Sequence, residues 1–136
     1  MVGQKEIRIK AMHDLSISQA IAETVLKEAR DKKARKVLSL KLEIGELTFL
    51  SPEQIRFWLK ELFKGTFAEG AKICIKKIFS LIRCKSCSYE GNITLEDNFL
   101  RHTYFPIMKC PKCSSFSLEI KKGKECLIRQ IRIISV

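Results

Sequence analysis

The sequence predicts an α/β (α+β) fold, with two helices packed on a small mixed β-sheet and a small cysteine-bearing module inserted into it. Three observations carry that expectation. Residues 51–65 combine an N-terminal cap, a helical apolar stripe and a closing glycine. Residues 37–44 alternate apolar and polar side chains. Two Cys-x-x-Cys pairs, 84/87 and 110/113, face each other across residues 88–109. A chain of 136 residues is long enough for one domain, or for one small domain with a satellite.

Met1–Ala11 mixes charged and apolar residues. Ile7 and Ile9 have the spacing of a short edge strand, but the expectation is a frayed N-terminal extension over 1–11. Residues 16–30 read as the first helix. Ser16 and Gln19 suit a capping box. Ile17, Ile21, Val25 and Ala29 repeat every four residues, and Ala20, Ala22 and Leu26 widen the stripe. The basic run Lys32, Lys33, Arg35 and Lys36 suits a helix C-terminus and the turn after it.

The strand at 37–44 aims Leu38, Leu40, Leu42 and Ile44 one way and Ser39, Lys41 and Glu43 the other. Gly45 follows it. In the second helix Ser51 is the N-cap, Pro52 takes the first helical position and Gln54 completes a capping box. Leu50 and Ile55 form a hydrophobic staple across that cap. Ile55, Trp58, Leu59, Leu62 and Phe63 make the buried stripe, and Gly65 sits where a glycine ends a helix. Residues 71–82 read as one strand carrying Ile73, Ile75, Phe79 and Leu81 on one face, with Lys77 marking a bulge. Residues 116–120 and 125–134 read as strands of a hairpin turning at Gly123. The implied organisation is a main unit over 12–83, completed by 118–136, around an inserted unit at 84–117.

Each Cys-x-x-Cys turn presents two thiolates, and two facing turns supply four sulfurs to one tetrahedral ion. Soft thiolates in that geometry favour zinc, with an iron centre as the other choice. A disulfide framework loses because no secretion signal precedes it. Lys85 and Lys112 beside the pairs offset the charge of a four-thiolate centre. With few apolar residues of its own, a zinc-ribbon-like module of this size would draw its folding free energy from the metal. A closed Cys84, Cys87, Cys110, Cys113 set is structural rather than catalytic, having no open coordination position. Cys74 and Cys126 fall on strands and read as buried structural thiols.

Lys plus Arg number 26 against 15 Asp plus Glu, a formal charge of +11, which makes nucleic acid a partner to weigh. The cations are scattered and no aromatic recognition motif accompanies them, so a solvated basic surface is the expectation. No apolar run reaches the roughly 20 residues of a membrane-spanning helix, and no cleavable leader is evident. The expected location is the cytoplasm, with no membrane partner.

Met12-His13-Asp14-Leu15-Ser16-Ile17 precedes the first helix. These residues resemble the Met-His-Glu-Leu-Ser-Ile opening of HypA, the family of hydrogenase nickel-incorporation metallochaperones. Ile44-Gly45-Glu46-Leu47, Gly65-Thr66, Glu69-Gly70-Ala71, the two cysteine pairs and Gly123-Lys124-Glu125 extend the resemblance over residues 12–134. It implies a nickel-binding unit of helices on a small sheet plus a zinc unit. It implies that Ni²⁺ is held by the amine of Met12, the imidazole and amide of His13 and the amide of Asp14. Nitrogen ligands in fused chelate rings suit Ni²⁺ in square-planar geometry. His102 is an auxiliary nickel ligand if the two units close on each other; a solvated loop histidine is the plainer reading. The sequence departs from the family at three places. Met12 is not the first residue, so the amine ligand requires a chain starting there. Asp14 replaces the usual Glu, and Arg132 stands where the last strand usually has Glu.

The resemblance implies Ni(II) as cargo, structural Zn(II), a HypB-type GTPase and the [NiFe]-hydrogenase large subunit as partners, and urease maturation proteins in some organisms. Nothing in the chain resembles a phosphate-binding loop, so the chain is not expected to be an enzyme and GTP hydrolysis would belong to the partner. A homodimer is left open. The competing readings are a zinc-ribbon nucleic-acid-binding or adaptor protein, and a thiol redox protein using one Cys-x-x-Cys pair.

Overall fold

The structure, a computed structural model, describes residues 2–3, 7–9, 14–93 and 108–135. Expectations placed on Met12, His13 and His102 lie outside those residues. Helix α1 covers Asp14–Asp31 and buries Ile17, Ile21, Ala22, Val25 and Ala29, as the four-residue repeat requires. Its start corrects the expected capping box. The helix already runs at Asp14, so Ser16 lies within the first turn, where an acidic residue faces the positive end of the helix dipole.

Strand β3 follows over Ala34–Gly45. Leu40, Leu42 and Ile44 are buried as expected, but Leu38 is 37% exposed and Val37 is fully buried in its place. The pairing register against the last strand slips between Val37 and Ser39. That slip is a β-bulge, and one extra residue turns every side chain before it to the other face. Helix α2 spans Pro52–Phe63, with Ser51 as N-cap accepting from the Gln54 amide and Pro52 at the first position. Leu50 and Ile55, the two sides of the staple, are both buried in the core. Gly65 adopts φ +76 and ends the helix, a conformation that costs glycine little.

Strand β4 (Lys72–Ile78) pairs parallel with β3, and α2 makes the crossover between them. Two short strands, β1 (Val2–Gly3) and β2 (Ile7–Ile9), lie antiparallel along one edge of β8 (Cys126–Ser135). The frayed tail expected over these residues is therefore corrected to edge pairing. The resulting mixed sheet runs β1-β8-β3-β4, with β2 also on β8. Its core joins Ile17, Ile21 and Val25 of α1 to Ile55, Leu59 and Phe63 of α2 and to Leu40, Leu42, Ile128 and Ile131 of the sheet.

Residues 71–82 are not one strand. After β4 the chain crosses at Phe79–Ser80 into β5 (Leu81–Cys84), which belongs to a second, three-stranded sheet with β6 (Glu90–Gly91) and β7 (Leu118–Lys122). The β3–β4 register is unbroken from Lys72 to Ile78, so Lys77 marks no bulge. The expected hairpin at Gly123 is also corrected: β7 pairs with β5, whereas β8 pairs with β3. Gly123 is instead where the chain returns from the small sheet to the large one. It has φ +96, and a Cβ there would lie 2.8 Å from Ser80 Cα. The two connections thus touch through backbone, which only glycine permits.

A short 3-10 turn at Glu46–Thr48 fastens that crossing. Gly45 N–H donates to the Glu125 carbonyl and Leu47 N–H to the Gly123 carbonyl, at 2.9 and 2.7 Å. Buried Ser80 donates from its hydroxyl to Glu46 Oε1 and accepts from Ile93 N–H, both at 3.1 Å.

Candidate metal centre

The ends of β5 and the turn at 110–113 bring Cys84, Cys87, Cys110 and Cys113 together, with all four Sγ atoms within 4.8 Å of one another. The closest approaches run across the two turns: Cys84 Sγ to Cys113 Sγ at 3.5 Å and Cys87 Sγ to Cys110 Sγ at 3.6 Å. Four sulfurs at roughly 2.3 Å from a tetrahedral ion would stand about 3.8 Å apart, so the donor set fits such an ion with only small adjustment.

The two turns are built alike. Ser88 N–H donates to the Cys84 carbonyl and Ser114 N–H to the Cys110 carbonyl. Cys84 N–H donates to the Tyr89 carbonyl, and Cys110 N–H to the Ser115 carbonyl. Ser88 and Ser114 share the left-handed conformation, at φ 63 and φ 62. The repeat therefore extends past Cys-x-x-Cys to a following serine, Cys87-Ser88 and Cys113-Ser114, a further signal carried by the sequence. A hydrogen bond of 2.9 Å between the Ser86 and Ser115 hydroxyls ties one turn to the other.

Backbone donors already favour thiolates in this cradle. Lys112 and Cys113 N–H groups point at Cys110 Sγ at 3.4 and 3.5 Å. Burial opposes ionisation of Cys110, but those donors outweigh it and lower its pKa. For Cys84 burial again opposes, and the Cys87 and Ser86 amides bring the thiol down to about 6. Cys113 is the exception. A backbone donor at Ser115 pulls it down, yet the neighbouring Cys84 and Cys87 thiols push it up to about 12. Without a cation, four sulfurs this close cannot all be anionic. Cys126 is apart from the cluster in β8, and burial raises it to about 11, as befits a structural thiol.

Of the expected nickel ligands, Asp14 lies among the described residues. It opens α1, so its amide is one of the first-turn N–H groups with no intrahelical acceptor. Its carboxylate is engaged elsewhere: Oδ1 accepts from Ser51 N–H at 3.2 Å, linking the start of α1 to the cap of α2. The sequence separation of 37 residues hides that contact from any local pattern. The Asp14 side chain thus ties the two helix starts together through Oδ1.

Comparison with known proteins agrees with this architecture. A family model for hydrogenase/urease nickel-incorporation metallochaperones, HypA, matches residues 12–133. The hydrogenase maturation factor HypA of Methanothermobacter thermautotrophicus is 39% identical over 122 residues, covering 90% of this chain and 97% of that protein. The factor of the same name from Methanopyrus kandleri is 40% identical over 133 residues, covering 90% and 93%. In fold, the chain is similar to the solution structure of the Ni metallochaperone HypA from Helicobacter pylori, with TM-score 0.61 at 18% identity over 92% of this chain and all of that one. Described helices on a mixed sheet, a four-thiol cluster on a second sheet and a family match across nearly the whole length agree: the chain belongs to the HypA family of nickel-incorporation metallochaperones.

Proposed function

We propose that the chain carries Ni²⁺ toward [NiFe]-hydrogenase and holds a structural Zn²⁺ on Cys84, Cys87, Cys110 and Cys113. The family match over residues 12–133 carries the nickel reading. The thiol separations and the backbone N–H donors support zinc, which would supply charge compensation and a fixed tetrahedral vertex for the two turns. The nickel ligands proposed are the Met12 amine, the His13 imidazole and amide, and the Asp14 amide, with His102 as an auxiliary ligand. Engagement of the Asp14 carboxylate by Ser51 supports a backbone role for that residue. In this reading the unit at 12–83 with the C-terminal strand handles nickel, and the unit at 84–117 holds zinc.

The site is a carrier, not a catalyst. A HypB-type GTPase would drive release, the hydrogenase large subunit would receive the ion, and urease maturation proteins are further recipients, all in the cytoplasm. No described helix is long and apolar enough to cross a membrane. The zinc-ribbon nucleic-acid or adaptor alternative is not favoured beside a full-length metallochaperone match. Protons compete for imidazole and amine, so nickel binding weakens as pH falls through the imidazole range.

Calorimetric Ni²⁺ titration of zinc-loaded protein, starting either at Met1 or at Met12, tests the ligand set. One nickel per chain for the Met12 start, lost with His13→Ala and weakened with residues 1–11 attached, is the expected result. Nickel binding unaffected by His13→Ala would reject these ligands.

A further inference from the structure

Strand β4 ends the large sheet, and among the described residues nothing pairs with its outer edge. Seven residues of backbone, Lys72–Ile78, therefore present alternate N–H and C=O groups outward. Beside the start of this edge lies an open groove of about 540 Å³ between α2 and the loop that leads into β4. Its floor is apolar, with Phe63, Ala68, Ala71 and Ile73 all buried. Its rim is cationic: Arg56, Lys60, Lys64 and Lys72 line it. Lys76 and Lys77 continue the charge along the exposed strand.

Three carboxylates near the strip are already engaged, among them Glu43, which lies opposite Lys76 in the β3–β4 register and pairs with Arg129 at 2.9 Å. Glu69 accepts from Gly65 N–H at 3.1 Å, and Glu61 pairs with Lys64 at 2.9 Å. Among the described residues, Arg56, Lys60, Lys72 and Lys76 have no ion-pair partner. Uncompensated cations around a hydrogen-bonding edge select their occupant. A second copy of this edge would oppose lysines to lysines, which is how exposed strands are kept from pairing with themselves. An anionic polypeptide meets the same charges favourably and completes the backbone ladder. Nucleic acid would satisfy the cations but leave the outward amides and carbonyls without ladder partners.

We propose that the free edge of β4 and the cationic rim of the adjoining groove form a docking strip for an extended acidic segment of a partner protein. The strip lies on the large sheet and includes none of the proposed zinc or nickel ligands, so its test does not depend on nickel binding.

The test uses zinc-loaded full-length chain and two synthetic peptides of about ten residues, one alternating Glu with Val, the other the same sequence with every backbone nitrogen methylated. Their charge is equal, but the methylated peptide has no N–H to give the ladder in either register. The expected result is binding of the Glu/Val peptide roughly ten-fold tighter than its methylated counterpart, with slowed hydrogen exchange at β4 amides. Reversing the exposed charges (Lys60→Glu, Lys72→Glu and Lys76→Glu together) should remove that binding while leaving zinc content and helicity unchanged. Equal binding of the two peptides, or no binding at low salt, would overturn the proposal. So would oligouridylate binding more tightly than the Glu/Val peptide through the same lysines, which would make the strip a nucleic-acid surface.

Discussion

Around the large sheet, both helices and the central strands bury one continuous apolar cluster from Ile17 to Ile133. Around the small sheet, the buried side chains among the described residues are Ser80, Ile82 and Ile93 together with Cys84 and Cys110. One half thus has enough apolar surface to fold by burial, at about 25 cal/mol per Å² removed from water. The other, among its described residues, has a few hydrogen bonds and four sulfurs that repel one another when ionised. The contrast teaches where metal is needed: in the half whose described residues bury little apolar surface. It also explains why backbone donors are invested at the sulfurs, whereas in the large half they serve helix caps and strand ladders.

The largest effect expected is on the small half. Cys110→Ser removes a buried thiol of the proposed zinc site and should forfeit metal-linked folding free energy on the order of 10 kcal/mol. Zinc stoichiometry should fall and amide protection in β5 and β7 should vanish, while far-UV helicity is kept. Next comes a cut in the large half. Leu59→Ala, at a fully buried position, should cost about 2–5 kcal/mol in denaturant unfolding. Zinc content under native conditions should stay unchanged, and loss of zinc with that variant would break the comparison.

Smaller and more diagnostic is Gly123→Ala at the crossing. Left-handed φ and overlap with the Ser80 backbone should together cost about 1–3 kcal/mol. Since Gly123 touches both connections, the unfolding of the two halves should shift together, whereas Cys110→Ser and Leu59→Ala each act on one half. The mildest change is Asp14→Ala. Losing the carboxylate acceptor of Ser51 N–H should destabilise the large half by about 1 kcal/mol, read from the thermal midpoint. Nickel stoichiometry should be unaffected; a loss of nickel would assign the carboxylate to the ion instead.

What could be read from the sequence differs in the same way between the halves. Apolar repeats located α1 and α2, and the Ser51–Pro52 cap fixed the start of α2 to the residue, because local periodicity and capping are local physics. The four zinc candidates were legible because Cys-x-x-Cys spacing is itself a ligand geometry. Three features were not. Leu38 looked like core, but a bulge set by the facing strand turned Val37 inward instead. Gly123 looked like a hairpin turn, although β7 and β8 join different sheets. The bond from Ser51 N–H to the Asp14 carboxylate left no local pattern, because it spans a long sequence separation. Each depends on a partner distant in the chain, which no window along the sequence contains.

The most direct test of this division is residue-resolved hydrogen exchange before and after zinc is withdrawn by a strong chelator. Amides of β5, β6 and β7 should lose protection, while those of α1, α2, β3 and the paired part of β8 remain protected. Collapse of protection throughout both sheets in one step would show that the large half also depends on the metal, and would contradict the account.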